Sequence, residues 1–179
     1  MFTKDDRAIE VHQLDWSDPV QAGRLVALLN DYAHHPFGSG KSLPDDVLQR
    51  LPEIFPQSRG GFSLVAVDTH APEDEPDRRD IGLANCLYSF SSFRAAPLIN
   101  VHDLFVRETA RGRGVGRLLL QSVCDRATEL GASHVSLEVL TENMPARRLY
   151  HRMGFVGTDP DIDLPKGLML FGKRECVSK

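Results

Sequence analysis

The 179-residue chain lacks the features that announce several functional classes. No stretch approaches the roughly 18 consecutive apolar residues that a membrane-spanning helix needs, and the opening MFTKDDRAIEV holds no apolar run of a secretion leader. A cytoplasmic protein with no membrane partner is the expectation. Cysteine is scarce: Cys86, Cys124 and Cys176 are odd in number, far apart and without a CxxC pair, which argues against disulfides, zinc and dithiol chemistry. Charge of one sign is lacking too. With 21 Lys and Arg against 25 Asp and Glu, the net charge of -4 gives no basic field for nucleic acid.

What is present is ordinary for a globular chain: 41% hydrophobic and 26% charged residues, with no internal repeat and no low-complexity tract. The length suits one domain, 1–179, able to bury a core without metals or disulfides. Ile9 to Leu14 reads as a strand. Asp15, Ser17 and Asp18 then offer caps and Pro19 a first helical residue, and Leu25, Leu28, Leu29 and Tyr32 supply the apolar stripe of a helix. A second helix, about Pro44 to Phe55, should be interrupted near Pro52. Phe62 to Val67 and Ile81 to Phe90 form a long hairpin whose loop, THAPEDEPDRRD, reads as a mobile surface excursion.

The second half alternates differently. A strand from Leu98 to Val106 leads through a glycine-rich turn into a helix ending near Leu130, then a strand from His134 to Leu140, a short helix before Gly154, and a last strand from Leu168 to Lys173. Strand, helix, strand implies a parallel pair. The architecture expected is α+β: a mixed, mostly antiparallel sheet flanked by helices, with a βαβ unit near the C-terminus.

The sharpest motif is RGRGVG, Arg111 to Gly116, between the strand HDLFV and a helix with the stripe Val115, Leu119, Val123, Ala127 and Leu130. Glycines let successive N–H groups converge on one point, and the helix adds its unpaired N–H groups and positive dipole end. That is a phosphate site. Arg107, Arg111, Arg113 and Arg117 suit a ligand with several phosphates, so Arg111, Gly112, Arg113, Gly114, Val115, Gly116 and Arg117 are candidates to hold coenzyme A. A helix entered through flexible glycines with solvated arginines is the blander reading. A dinucleotide-binding unit is the rival, with Glu138 at the end of the next strand; but the spacing is GxGxG rather than GxGxxG, and no GK[ST] makes a P-loop.

The string VHDLFVRETARGRGVGRLLL resembles the signature of the GNAT acetyltransferases, through Arg111, Gly114 and Gly116, and ENMPARRLYHRMGF resembles the family's second element, through Asn143, Ala146, Tyr150, Gly154 and Phe155. The resemblance covers the second half of the chain, so 98–179 reads as the acetyl-CoA-binding half and 1–97 as the acceptor side. It implies a splayed sheet, acetyl-CoA as co-substrate without a metal, and transfer to the primary amine of a small molecule or a free amino group. It further implies that Leu104, Phe105 and Val106 pair through their backbone with the pantetheine arm, an N–H of Phe105 or Val106 meeting the thioester oxygen, and that Asn143 bonds the pantetheine amides with Ala146 also at the cofactor; an Asn before Met-Pro is equally an ordinary N-cap, and both roles can coexist.

Tyr150 matches the family's general acid for the departing thiolate, although Ala146, Leu149, Tyr150 and Met153 also form an apolar helix face. An amine also needs a proton acceptor. His102 stands where polyamine acetyltransferases of the superfamily carry a carboxylate that acts through water; the alternatives are that His102 is a satisfied strand residue, or that Asp103 faces the substrate. His34 and His35, too close in sequence to chelate a metal readily, have a surface or acceptor-site role. Asp31, Asp45, Asp46 and Glu53 could attract a cationic acceptor between walls of Tyr32, Phe37 and Phe55, or could simply be solvated. A module that binds acyl-CoA without chemistry stays open, as does a homodimer joined through exposed sheet edges.

Overall fold

The structure, a computed structural model, describes residues 8–57 and 60–176. The first residues, on which the expected location partly rests, lie outside them. Six strands form one sheet in the order β1 to β6. By their internal contacts the described residues group into two compact units, those within 1–85 with 103–119 and those within 86–102 with 120–179.

In the first unit, β1 (Ile9–Gln13) pairs antiparallel with β2 (Gly61–Asp68), Ile9 opposite Asp68 and Gln13 opposite Leu64. Between them α1 (Pro19–His34) begins where the capping residues stand: Asp18 accepts the Val20 N–H at 2.9 Å and Pro19 is the first helical residue. Leu25 and Leu28 are fully buried against Leu14, Val65, Val67, Leu83 and Phe105, with Leu29 and Tyr32 at the margin. The helix α2 (Asp45–Ile54) runs through Pro52 where an interruption is expected. Proline removes one N–H, but the Phe55 N–H still reaches the Leu51 carbonyl, Leu51 packs on the core, and the Phe55 ring sits 5.2 Å from Trp16. Packing of the residues either side holds the last turn.

The loop after β2 contains a helical turn, α3 (Pro76–Arg79), where the sequence suggests only a surface excursion. Arg79 reaches back to the Ala71 carbonyl and Arg78 pairs with Glu75 at 2.8 Å. The next strand, β3 (Asp80–Ser91), opens on a buried carboxylate: Asp80, 4% exposed in its side chain, takes a bidentate bond from Arg24 at 2.6 and 2.7 Å.

Strand β4 (Ala96–Val106) and helix α4 (Val115–Glu129) also span both units. In the second unit β5 (His134–Leu140) is parallel to β4 over Ile99–Val101 and Val135–Leu137, as the strand, helix, strand order requires. Helix α5 (Met144–Arg152) follows, and β6 (Met169–Glu175) closes the sheet antiparallel to β5, Leu140 opposite Met169. The stripe of α4 differs from expectation at two residues: Leu120 is fully buried as well, and Leu130 is 39% exposed because the helix ends at Glu129 and the chain turns at Gly131. Among the described residues no helix is long and apolar enough to cross a membrane.

Candidate acetyl-CoA site

The turn between β4 and α4 is built by backbone geometry. The Arg107 N–H closes on the Ile81 carbonyl at 3.0 Å, a 3-10 turn over Glu108–Ala110 follows, and the Arg111 Nε donates to the Val106 carbonyl at 3.2 Å. Gly112 and Gly114 then take φ of +79° and +82°, and a Cβ added at either would meet open space. Gly116 is different: it belongs to the first turn of α4, so the glycine-rich turn proper ends at Gly114. The first helical bond runs from the Leu118 N–H to the Gly114 carbonyl, which leaves the N–H groups at the start of α4 without helical partners. Val115 is buried against Gly82, where even a Cβ would come within 3.0 Å of it, so the helix start is held firmly.

The four arginines do not act alike. Arg107, 13% exposed, pairs with Asp31 at 2.7 Å, and Arg113 pairs with Asp68 at 2.8 Å. Partly buried guanidinium groups need such counter-charges. Arg111 leans on Glu108 at 3.6 Å as well as on the strand end, and Arg117 is exposed on α4. Of the four arginines expected to suit phosphate, Arg107 and Arg113 are thus held by aspartates, Asp31 and Asp68.

The second motif lies in the second unit. Asn143 caps α5 by accepting the Ala146 N–H at 3.3 Å, and Gly154 at φ +83° ends it, with the Phe155 N–H on the Tyr150 carbonyl. Tyr150 is only 6% exposed, its ring 5.9 Å from Phe155. Arg147, overlooked in the sequence as one of two adjacent arginines, is 2% exposed and donates to the carbonyls of Thr141 at 2.9 Å, Ile162 at 3.0 Å and Asp159. It ties the chain after α5 to the helix start.

Elsewhere in the first unit, Tyr32 packs 5.8 Å from Phe105, and the His35 ring lies 5.7 Å from Phe37 and 6.4 Å from Phe105. Burial, then the proximity of Arg111, lowers the His35 pKa, and its Nδ1 accepts the Phe37 N–H. Burial, helped by Asp103, raises that of the Tyr32 phenol. His34 meets the Ser42 hydroxyl at 3.2 Å. Asp45, Asp46 and Glu53 are exposed on α2, whereas Phe55 is given to Trp16. His102 is exposed on β4, in the second unit; Asp103, in the first, accepts from Asn85 at 3.0 Å.

Residues 44–155 match the family model described as Acetyltransferase (GNAT) family. The chain belongs to this family. A streptothricin acetyltransferase of Streptomyces lavendulae is 41% identical over 69 residues, 38% of this chain and 36% of that protein. An L-ornithine N5-acetyltransferase of Arabidopsis thaliana is 30% identical over 125 residues, 60% of this chain and 55% of that one. The matched part therefore spans about a third to just over half the length of these relatives. The crystal structure of Arabidopsis thaliana NAA60 in complex with acetyl-CoA shares the fold, with a TM-score of 0.67 at 20% identity over 93% of this chain and 98% of that one.

Within this GNAT chain, Leu104 to Val106 and the turn to Arg117 fall in the first unit, and His102, Asn143, Ala146 and Tyr150 in the second. Sequence reasoning missed Trp16, Ser63 and Asn85, which are hydrogen-bonded in series to Asp103. One signal was available: Ser63 and Asn85 are polar residues inside apolar strand runs, GFSLVAV and IGLANCL.

Proposed function

We propose that this chain is an acetyl-CoA-dependent N-acetyltransferase that moves an acetyl group directly to a primary amine of a small molecule or to a free amino group. The observation that carries the reading is the turn from Arg111 to Val115, where two left-handed glycines with open space beside them lead into a buried helix start. The pyrophosphate of acetyl-CoA would be held by the backbone from Gly112 to Gly116 and by Arg111, Arg113 and Arg117, Arg113 exchanging Asp68 for phosphate. Leu104, Phe105 and Val106 lie beyond the residues of β4 that pair with β5 and would serve the pantetheine arm, with Asn143 and Ala146 assisting.

In the transfer the amine nitrogen attacks the thioester carbon, a C–N bond forms and the C–S bond breaks. An N–H at Phe105 or Val106 would meet the oxygen as it gains charge. His102, exposed on β4, would take the amine's proton through water, and Tyr150 would return one to the thiolate. The printed activities of the streptothricin and ornithine relatives support a small amine as acceptor.

One observation favours a second reading, a binder of acyl-CoA without chemistry: Tyr150 is nearly covered. Thiol release from acetyl-CoA across a panel of amines separates the two. The enzyme releases thiol with at least one amine, and Tyr150→Phe lowers turnover by about a hundredfold or more, within the range of general acid catalysis, while CoA still binds. Release at background for every amine supports the binder, and unchanged turnover in Tyr150→Phe removes Tyr150 from the mechanism.

A further inference from the structure

Four side chains of the first unit form a hydrogen-bond series whose direction follows from their chemistry. An indole nitrogen can only donate, so Trp16 Nε1–H gives to Ser63 Oγ at 3.1 Å. The Ser63 hydroxyl, with its one hydrogen, gives to Asn85 Oδ1 at 2.9 Å. The amide is thereby oriented with its NH₂ group outward, and Nδ2 gives to Asp103 Oδ2 at 3.0 Å. Ser63 is fully buried and Asn85 9% exposed, so no water competes for the middle of the series. The Trp16 ring is itself fixed by stacking on Phe55.

Such a series ends on a group that accepts only, which a carboxylate does. Among the described residues Asp103 forms no ion pair, unlike Asp31, Asp68 and Asp80, each held by an arginine. Its Oδ1 has no partner there, and Tyr32 is near enough to feel its charge. Phe105, two residues along β4, lies on the same face of the strand and packs on Tyr32 and His35. An oriented carboxylate with aromatic neighbours suits an organic cation.

We propose that Asp103 is the cation-binding subsite for the acceptor amine and that Trp16, Ser63 and Asn85 are positioning residues that aim its carboxylate. The proposal rests on the acceptor reading above and names the acceptor's class: a molecule whose ammonium group, not only its shape, is recognised.

The test is calorimetric binding of cadaverine, with pentanediol as its uncharged counterpart, to the full chain with and without CoA. Wild type binds the diamine at least about tenfold more tightly than the diol, as a charge-assisted hydrogen bond implies. Asn85→Ala and Asp103→Asn abolish that preference while diol and CoA affinities stay put. Trp16→Phe, which keeps the stacked ring and removes the donor, lowers the preference by a smaller factor and serves if Asn85→Ala does not fold. A merely structural role would move diamine and diol together. Equal binding of the two by wild type, no binding of the diamine, or full preference in both Trp16→Phe and Asn85→Ala overturns the proposal. Charge-selective binding without thiol release would sink the enzyme reading and leave this one standing.

Discussion

Gly114 is bound to its residue type by the backbone, because its φ of +82° is one that L side chains adopt only under strain. Gly114→Ala should cost about 1 kcal/mol in denaturant unfolding. Gly114→Asp should in addition abolish CoA binding by calorimetry, since a carboxylate would occupy the open space proposed for phosphate; retained affinity would contradict the phosphate turn. Cys124 gives a pH prediction. Burial, outweighing the nearby Arg174, pushes its pKa from 9.0 up to about 11. A raised pKa means that the folded state keeps the proton, so the stabilisation is complete below pH 9 and is lost as pH rises towards 11. Unfolding measured at pH 8 and pH 11 should therefore fall more steeply for wild type than for Cys124→Ala, by roughly 2 kcal/mol. Parallel losses would show that Cys124 titrates freely. At this scale the helix cap at Asn143 was readable, because a cap and the helix it starts are neighbours in the chain. Asn85 and Arg147 were not, since the partners that define them lie 18 and up to 15 positions away and meet them only in the fold.

Elements were legible wherever local chemistry and packing agree. The strand His134–Leu140 has the limits its apolar run suggests, and α1 starts at Pro19 as its capping residues require. Asp18→Ala removes a side chain that accepts from both Val20 and Gln21, and should lower the melting temperature by roughly 2–4 °C in a chain of this size. An unchanged melting temperature would mean that α1 is held by its buried face alone. Departures arise where tertiary contacts override a local rule. Pro52 should break α2, yet Leu51 and Phe55 are anchored on either side of it. Leu130 continues the periodicity of α4 but falls past its end, and Leu120, off the expected stripe, is buried instead. The loop between β2 and β3 looks purely polar, yet Arg78 and Arg79 find partners within it.

For the whole molecule, the order of strands and helices was legible because each strand neighbours the next in sequence. The glycine-rich turn was readable because it is one contiguous stretch of backbone. The surroundings of the carboxylates in the first unit were not, because they pair across the fold: Asp31 pairs with Arg107, while Asp103 ends a hydrogen-bond series from β2, β3 and the segment before α1. The central claim is that the backbone from Gly112 to Gly116 receives the pyrophosphate of acetyl-CoA. A crystal structure of the chain grown with acetyl-CoA tests it most directly. The account predicts phosphate oxygens within hydrogen-bond distance of those N–H groups and Arg113 turned from Asp68 towards them; a pyrophosphate bound elsewhere, with the Arg113 to Asp68 pair intact, would contradict it.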